Sequence, residues 1–422
     1  MSETPSVAIA GAGLSGLCLA QSLVRAGFDV HVYERDPSPH ARRQGYRITV
    51  DEHGIGALQH CLPSHLFELF LATAGDPGGY FRFTNQNLGE IFKLTFKADP
   101  SGANLRGPRQ ADRQNLRTLL LSGLQDRVHF GKEATRVESM SEAATLFFVD
   151  GSSVNASLVV GADGAHSALR SQVLPDCALE EVSFMAIYGR TLLHQNGRTL
   201  VPQELETSGV LALGAPGRAF FFTTMRFHES PPVAFARLAP DQPPPIREDY
   251  VMWALVFPME DLTPEVRELN TEALHRLALD GARAFHQVLQ RFVERADVDY
   301  TLAVQLLAAK RPTWWAVSHA TLMGDAVHVM PPFGAHGGNT ALRDAALLSE
   351  KLQSAAARRE PLAQAIDAYQ KEMIAYAFHE VEASKAMMRR FTTRNPLMRW
   401  MMLSAIPWLR SLTGRGLTLD GD

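Results

Sequence analysis

The first 34 residues alternate between short apolar runs and a glycine-rich segment. Residues 7–10 are an apolar run of the β type, and residues 17–24 place Leu, Ala and Val side chains at positions typical of a buried helix. A second apolar run at 30–33 ends at Glu34. This order predicts a strand, a helix and a second strand, which together form a βαβ unit.

The segment between the first strand and the helix reads GAGLSG and carries a dinucleotide-binding pattern. Gly11, Gly13 and Gly16 occupy the G-x-G-x-x-G positions, and an acid, Glu34, follows about 20 residues later. The first glycine permits a tight turn, the second lets a pyrophosphate approach the backbone, and the third lets helix and strand pack closely. An acid rather than an arginine at this position favours FAD or NAD over a 2′-phosphorylated dinucleotide. The sequence therefore predicts one dinucleotide site.

The remaining apolar pattern predicts further strands and helices. A strand within 153–170 ends in a Gly-Ala-Asp-Gly turn, which belongs at the carboxyl edge of a sheet, where ligands of α/β folds bind. Between 182 and 258, β-rich runs separated by proline-rich loops predict a second, mostly antiparallel sheet that can line an apolar pocket. A strand, a glycine-rich turn and an Ala/Leu helix follow at 320–352, and 361–391 is predicted as one long helix.

Composition narrows the class of protein. The chain has 422 residues, of which 46 % are hydrophobic, and its 41 basic and 45 acidic residues give a formal net charge of −4. These values exclude a disordered tail and a strongly basic nucleic-acid binder. The cysteines Cys18, Cys61 and Cys177 match no metal or redox spacing, so no metal site is predicted and the cytoplasm is the expected location.

No apolar stretch reaches the length of a membrane-spanning helix. The segment 397–412 is rich in Met and Trp but is interrupted by Arg399, Pro407 and Arg410. It predicts a terminal helix packed on the protein body, with a peripheral membrane anchor as the alternative. The expected partner is a small hydrophobic substrate, with no nucleic acid, and the expected assembly is a monomer or a homodimer.

Three segments together resemble the class A flavoprotein monooxygenases, the superfamily of p-hydroxybenzoate hydroxylase, salicylate hydroxylase and the tetracycline-inactivating monooxygenases. They are GAGLSG with Glu34, VVGADGAHSALR at 159–170, and MGDAVHVMPPFGAHGGN at 323–339. The resemblance covers most of the chain. It implies an α/β fold in which a Rossmann-like FAD-binding domain of the glutathione-reductase type is interleaved with a mostly antiparallel β-sheet substrate domain, followed by a long C-terminal helical segment. The expected divisions are FAD-binding parts at 1–75, 105–180 and 301–352, substrate-domain parts at 76–104 and 181–300, and C-terminal helices at 353–422.

The resemblance also implies which residues hold a tightly but non-covalently bound FAD. The backbone of Leu14 and Ser15 would hold the pyrophosphate, and Glu34 would hold the adenosine ribose. Asp325 is similar to the aspartate that binds the ribityl hydroxyls. The turn at 332–339 would run beside the flavin pyrimidine ring, its N–H groups stabilising negative charge there. The implied cofactor residues are Gly11, Gly13, Leu14, Ser15, Gly16, Glu34, Arg35, Arg42, Arg113, Asp163, Asp325, Pro332, Gly337, Gly338 and Asn339.

Among these, the resemblance gives the arginines and the middle aspartate particular tasks. Arg113 is similar to the arginine that reaches the FAD linker. Arg42 is similar to an arginine near the pyrophosphate or the incoming NADPH, and Arg43 is its alternative. Asp163, together with Gly164 and Arg170, fits an Asp-Gly motif implicated in both FAD and NADPH binding.

Two residues are candidates for substrate contact. Arg47 lies on the strand GYRITV, and because side chains alternate along a strand, Tyr46 and Ile48 should face the other way. His336 lies in the turn beside the flavin, at a position where the family more usually has Gln or a small residue. The alternative for His336 is a turn histidine that faces water.

In this family the cofactor performs the chemistry, so no catalytic side chain is assigned. NADPH or NADH binds transiently and reduces the flavin, dioxygen adds to it, and the resulting flavin hydroperoxide gives one oxygen atom to the substrate. The apolar second sheet favours a hydrophobic aromatic or polycyclic substrate. Hydroxylation is the expected reaction, in secondary metabolism or xenobiotic oxidation. Epoxidation, Baeyer-Villiger-type insertion, an FAD-dependent reductase or oxidase on the same scaffold, and a flavin-binding sensor or scaffold are the alternatives.

Overall fold

The computed structural model of the protein describes residues 5–39, 41, 46–76, 78, 80–95, 107–195, 198–206, 209–313 and 315–405. Its strands are β1 Ser6–Ala10, β2 Asp29–Glu34, β3 Arg47–Val50, β4 Tyr80–Asn85, β5 Glu90–Thr95, β6 Arg109–Asp112, β7 Val128–Phe130, β8 Ala134–Ser139, β9 Ala144–Phe148, β10 Ser153–Ala156, β11 Leu158–Gly161, β12 Leu179–Leu192, β13 His194–Gln195, β14 Arg198–Thr199, β15 Gly209–Leu213, β16 Ala219–Met225, β17 Tyr250–Pro258, β18 Leu302–Ala309 and β19 Ala320–Leu322.

Its α-helices are α1 Leu14–Arg25, α2 Glu52–Cys61, α3 Ser64–Thr73, α4 Arg113–Leu121, α5 Arg170–Val173, α6 Pro231–Leu238, α7 Thr271–Ala282, α8 Gln287–Glu294, α9 Asp325–His328, α10 His336–Arg358, α11 Leu362–Phe391 and α12 Pro396–Trp400. A π-helical turn, Met401–Ala405, follows α12. Short 3₁₀ turns lie at Gln125–Arg127, Gln203–Leu205, Met259–Asp261, Pro264–Glu268 and Val298–Tyr300. In the described ranges, no helix combines the length and apolarity that crossing a bilayer takes.

The first layer is a parallel sheet of five strands in the order β19-β11-β1-β2-β7. β1 pairs in parallel with β2 and with β11, and α1 is the crossover between β1 and β2. Helix α1 contacts β1 and β2, and a three-stranded sheet in the order β10-β9-β8 contacts β1, β11 and β19. The central strands β1 and β11 are apolar runs, whereas β2 alternates between apolar and polar residues. The βαβ unit and the Rossmann-like domain predicted from the sequence are confirmed.

The second layer is a sheet of seven strands in the order β18-β12-β17-β16-β15-β4-β5. It is antiparallel except for the parallel pair of β15 and β4, as the sequence predicts for a mostly antiparallel sheet. One face carries Phe220, Phe222 and Trp253 in a core shared with α7 and α8. The opposite face carries Phe221 and Met252, which pack with residues beside β3. β12 and β18 extend this sheet to residues on both sides of the 181–300 range expected for it.

The C-terminal helices brace the parallel sheet. α11 begins after Pro361 and runs for 30 residues, which confirms the long helix predicted from the apolar stripe. Its buried Tyr369 and Met373 belong to the core of the parallel sheet, and Tyr369 donates a hydrogen bond from its hydroxyl to the carbonyl of Leu322 in β19 over 3.1 Å. α10 packs between α1 and α11. This arrangement brings the start of α10 close to the start of α1.

Candidate cofactor and substrate site

The fingerprint glycines have three different surroundings. Gly11 has φ +111°, and a Cβ there would lie 2.3 Å from the carbonyl oxygen of Ala162. A Cβ on Gly16 would lie 2.2 Å from the carbonyl oxygen of Gly11, whereas a Cβ on Gly13 would meet nothing within 4 Å. Packing within the protein therefore requires glycine at positions 11 and 16, independently of any cofactor. The space beside Gly13 fits a pyrophosphate that approaches the backbone.

Two helices begin at this site without a capping side chain. α1 starts after Gly13 and α10 starts after Ala335, and neither has a side chain that accepts from its first turn. By contrast, Asp51 caps α2 and Asp112 caps α4. Because the first N–H groups of a helix lack partners within the helix, α1 and α10 present donors and the positive end of a dipole. Both termini fit the negative groups of a dinucleotide.

Glu34, at the end of β2, is buried and shapes the fingerprint loop. Its Oε2 accepts a hydrogen bond from the backbone N–H of Ala12 over 2.7 Å, and its Oε1 accepts one from Asp36 over 3.0 Å. Arg117 of α4 lies 3.8 Å from the same carboxylate and donates from Nε to the carbonyl of Ala12 over 2.8 Å. The sequence analysis misses Arg117, which lies four residues after the predicted cofactor residue Arg113 on the same helix, α4. The neighbouring Arg35 is exposed.

The middle motif meets the third motif through Arg170. Its Nε donates to the carbonyl of Ala326 over 2.7 Å, and its Nη2 donates to the carbonyls of Ala165 over 2.7 Å and Asp325 over 3.0 Å. In the middle motif, Asp163 accepts from the backbone of Ala168 through Oδ2, and burial raises its pKa. Its Oδ1 is buried and has no hydrogen-bond partner among the described residues. This oxygen fits a donor group of a bound dinucleotide.

A buried carboxylate holds the turn that carries Asp325. Asp344 of α10 is fully buried and accepts hydrogen bonds from the N–H of Gly324 over 2.7 Å, from Nε2 of His328 over 2.6 Å and from the hydroxyl of Tyr376 over 2.6 Å. Burial lowers the pKa of His328, but the charge of Asp344, its hydrogen bond to His328 and the charge of Asp325 together outweigh burial and raise that pKa. Asp344 and Tyr376 are further residues that sequence reasoning missed.

Gly324 places this turn against the fingerprint helix. It has φ +62°, and a Cβ there would lie 3.0 Å from the hydroxyl oxygen of Ser15 and 3.3 Å from the Cβ of Ala341. Asp325 therefore begins α9 where the first turns of α1 and α10 meet. Together with the contact between Gly11 and Ala162, this brings the three sequence motifs to one place.

Asn339 lies in the first turn of α10, and its side chain holds three backbone groups. Its Nδ2 donates to the carbonyls of Thr49 over 2.9 Å and Ala335 over 3.0 Å, and its Oδ1 accepts from the N–H of Asp51 over 3.0 Å. The amide thus joins β3, the start of α2 and the turn. A Cβ on Gly338 would lie 3.8 Å from the side chain of Ile48, so this turn passes over β3.

His336 is turned toward α11. Its Nδ1 lies 2.9 Å from Oε2 of Glu380, and both side chains are about one third exposed, at 30 % and 29 %. Pro332, four residues earlier, is exposed. The predicted arginine Arg42 and its alternative Arg43 lie outside the described residues.

A cluster of polar side chains lies where one face of the second sheet packs against β3 and β6. Arg47 lies opposite Asp112 in the antiparallel β3–β6 pair, and Asp112 accepts a hydrogen bond from the Tyr250 hydroxyl over 2.7 Å. Burial raises the pKa of Asp112 to about 6 and lowers that of Arg47 to about 10. The guanidinium of Arg190 lies over the ring of Tyr300 at 3.6 Å.

Tyrosines are concentrated around this cluster. Four of the eight tyrosines in the chain belong to the same apolar group: Tyr46, Tyr188, Tyr250 and Tyr300. Burial raises the pKa of the Tyr188 hydroxyl to about 12. A neutral phenol surface with two arginines fits an aromatic molecule that carries oxygen substituents.

The fold and this site define a Rossmann-type, dinucleotide-binding flavoprotein with a second, sheet-forming domain. A family described as an NAD(P)-binding Rossmann-like domain matches residues 9–70, and a family described as an FAD binding domain matches residues 307–384. These matches agree with the resemblance of the three motifs to the class A FAD-dependent monooxygenases, and FAD is the cofactor of the chain.

Relatives with known names agree with this resemblance. The chain is 32 % identical over 385 residues to the dual O-methyltransferase/FAD-dependent monooxygenase elcB of Phaeosphaeria nodorum, covering 84 % of this chain and 41 % of that protein. It is 29 % identical over 371 residues to the FAD-dependent monooxygenase dbaB of Emericella nidulans, covering 84 % and 88 %. The chain spans about two fifths of the length of the bifunctional relatives.

A solved structure shows the same fold along almost the whole chain. A Photorhabdus luminescens protein described as an FAD containing monooxygenase superimposes with a TM-score of 0.77 at 29 % identity, covering 92 % of this chain and 98 % of that chain. The overall fold is therefore shared with this protein.

Proposed function

We propose that the protein is an FAD-dependent, NADPH- or NADH-consuming monooxygenase that transfers one oxygen atom of dioxygen to a hydrophobic aromatic or polycyclic substrate. The proposal rests on the convergence of three motifs. Gly11 of the fingerprint loop packs against Ala162 of the middle motif, and Gly324 of the third motif packs against Ser15 of the fingerprint helix. When bound, FAD supplies both the electron transfer from the nicotinamide and the activation of dioxygen. The protein then has to bind and orient the substrate and to exclude water.

On the cofactor side, each residue would meet a different part of FAD. The N–H groups of Leu14 and Ser15 would receive the pyrophosphate, and Glu34 retains lone pairs for the ribose hydroxyls. Asp325 would meet the ribityl chain, and the first turn of α10 would donate to the pyrimidine ring. Arg113 and Asp163 complete the site from α4 and the middle motif, and the backbone rather than the side chain of Asn339 would face the flavin.

On the substrate side, the face of the second sheet would cover the flavin. Arg47, Tyr188 and Arg190 would bind oxygen substituents of the substrate, and Phe221 and Met252 would pack against its apolar body. His336 is a second candidate for substrate contact, and its pairing with Glu380 would hold it at the edge of the site.

Hydroxylation is the outcome that we favour over epoxidation or Baeyer-Villiger-type insertion. The relatives that carry an O-methyltransferase in the same chain support this choice, because a methyltransferase of that type needs a hydroxyl group. The three cysteines are free thiols, which agrees with the reducing cytoplasm. Assembly as a monomer or a homodimer stays a prediction.

The test is oxygen labelling under turnover. The purified protein should bind FAD, oxidise NADPH or NADH faster with one member of a panel of phenols and polycyclic aromatics, and place label from ¹⁸O₂ in that compound. The Asp325→Ala variant should lose FAD or coupling, whereas Asp126→Ala, at an exposed position, should behave as the parent. Nicotinamide oxidation that yields only hydrogen peroxide with every compound would favour the reductase or oxidase alternative. Bound FAD that neither nicotinamide reduces would favour a sensor or scaffold.

A further inference from the structure

The end of the described chain exposes a cluster of large apolar side chains. Nine large hydrophobic residues are exposed in the described part of the protein, and four of them lie within five consecutive positions. These four form the C-terminal patch: Leu397 (67 % exposed), Met398 (42 %), Trp400 (59 %) and Met401 (45 %). The other five are single valine and methionine side chains elsewhere on the surface. An exposed patch of this kind marks an interaction surface rather than chance exposure.

The C-terminal patch is held in place by its own anchors. Asn395 caps α12 by accepting from the N–H groups of Leu397 over 3.0 Å and Met398 over 3.2 Å. Arg399 donates from Nη2 to the carbonyl of Gly214 over 2.7 Å, and the buried Met402 packs into the apolar cluster of the second sheet. The segment is therefore folded onto the protein while its apolar side chains point outward.

The C-terminal segment itself carries charge of one sign, and acidic side chains of other elements, Glu180 and Glu260, pair with its Lys385 and Arg394. Residues 383–419 contain seven basic and no acidic residues, although the whole chain has a net charge of −4. Within the described residues, Arg389 and Arg390 are exposed at the end of α11, and Arg394 pairs with Glu260. Clustered arginines beside Trp, Met and Leu are typical of a segment that lies at the surface of an anionic bilayer.

We propose that the C-terminal patch docks on an anionic lipid surface without crossing it. Trp400, Leu397 and the two methionines would enter the boundary between headgroups and acyl chains, and Arg389 and Arg390 would contact lipid phosphates. A second copy of this chain fits the patch less well. A two-fold contact would place the same arginines of both copies against each other, and like charges at an interface oppose association.

The position of the patch also concerns the substrate. Met402 and Leu403 share one apolar cluster with Phe333, in the turn before α10, and with Tyr188 on the sheet face. If the proposed function holds, a lipophilic substrate would have an apolar path from the bilayer toward the flavin. Docking itself does not depend on that function, because it is measured without substrate or turnover.

The experiment is sedimentation of the full chain with large unilamellar vesicles. Wild type should sediment with an equimolar mixture of phosphatidylcholine and phosphatidylglycerol, bind phosphatidylcholine alone weakly, and be released by added salt. The Leu397→Ser/Trp400→Ser variant should lower the partition coefficient about tenfold or more. The matched Val149→Ser/Val233→Ser variant, whose valines are 64 % and 59 % exposed, should bind as the parent does. Arg389→Gln/Arg390→Gln should lower binding to the anionic vesicles about tenfold.

A second measurement protects the test against a misfolded variant. Brominated lipid should quench the tryptophan fluorescence of wild type more than that of Trp400→Phe, which keeps an aromatic side chain. Equal sedimentation of wild type and the Leu397→Ser/Trp400→Ser variant, or no sedimentation with anionic vesicles, would overturn the proposal. A third result would also overturn the proposal: wild type forms concentration-dependent dimers and does not bind vesicles, and the variant abolishes the dimers. The patch would then be a contact between copies of the chain.

Discussion

Replacing Asp344 by asparagine tests whether a buried carboxylate fixes the turn that carries Asp325. Asp344 and His328 are both fully buried, with Nε2 and Oδ2 only 2.6 Å apart, and the same carboxylate holds Gly324 and Tyr376. An asparagine keeps the shape and can still accept from Gly324 and His328 through one oxygen. Its amide nitrogen would face the Tyr376 hydroxyl, which can turn round to accept.

The size of the effect follows from the three hydrogen bonds. A hydrogen bond to a charged group contributes about 1.5–3 kcal/mol and a neutral one about 0.5–1.5 kcal/mol, so three bonds weaken by about 3 kcal/mol together. Removing a buried charge relieves part of this through desolvation. We therefore expect Asp344→Asn to lower the free energy of unfolding by about 1–3 kcal/mol. Alanine would leave three donors unsatisfied at about 1–3 kcal/mol each, which approaches the stability of a whole domain.

The effect should depend on pH with a defined sign. Because Asp344 raises the pKa of His328 in the folded state, the pair stabilises fully below the unfolded histidine pKa of about 6.5. That contribution is lost as the pH rises through the raised folded value. The difference in urea unfolding between wild type and Asp344→Asn should therefore shrink as the pH increases.

Urea unfolding followed by circular dichroism, on the FAD-free protein at several pH values, measures this difference. Asp367→Asn is the control, because its carboxylate makes a surface pair with Lys371 in which the two side chains are 40 % and 76 % exposed. The control substitution should lower the free energy of unfolding by no more than about 0.5 kcal/mol. Equal unfolding of wild type and Asp344→Asn, or a difference that grows with pH, would refute the reasoning.

Three further predictions concern the loops of the site. Gly13→Ala should unfold as wild type but weaken FAD binding about tenfold or more in a fluorescence titration, because its Cβ occupies the pyrophosphate space. The control Gly56→Ala, at an exposed position of α2, should leave the FAD affinity unchanged. Burial raises the pKa of Asp112 from 3.8 to about 6, so wild type loses stability as pH rises through that range. The free energy of unfolding of Asp112→Asn should therefore rise by about 2.5 kcal/mol relative to that of wild type between pH 4 and pH 8 in urea unfolding, and the absence of this rise would contradict the assignment. Ala335→Gly should raise the free energy of unfolding by up to about 1 kcal/mol, because Ala335 has φ 62°; a lower midpoint in urea would contradict it.

The fold could be predicted from the sequence because its signals are local. The βαβ unit and the long helix that ends at Phe391 each depend on periodicity or a turn within a few residues. The mostly antiparallel sheet was visible in its apolar runs. Its strand order was not, because β4 pairs with β15 across more than a hundred residues of sequence.

The site was predicted in part for the same reason. Residues inside a motif, such as Gly13 and Asp325, could be singled out, although their contacts with FAD stay predictions. Arg117 and Asp344 could not, because each acts on a loop distant in sequence: Arg117 on the carbonyl of Ala12, and Asp344 on the N–H of Gly324. Helical spacing places such residues on a buried face, but a buried polar residue gives no sign of its partner.

Four buried charged residues share one physical role. This role explains why charged groups lie at the site although no nucleophile is assigned there. Glu34, Asp112, Arg170 and Asp344 each use their charge to hold backbone groups in the loops that surround the cofactor site. Holding a loop with a buried charge is costly unless every lone pair or proton finds a partner, so such a loop has one favoured geometry. A cofactor that carries the reactive chemistry needs this from its protein: fixed donors and excluded water rather than a side chain that reacts. Mutations of these four residues should therefore change FAD affinity and coupling together.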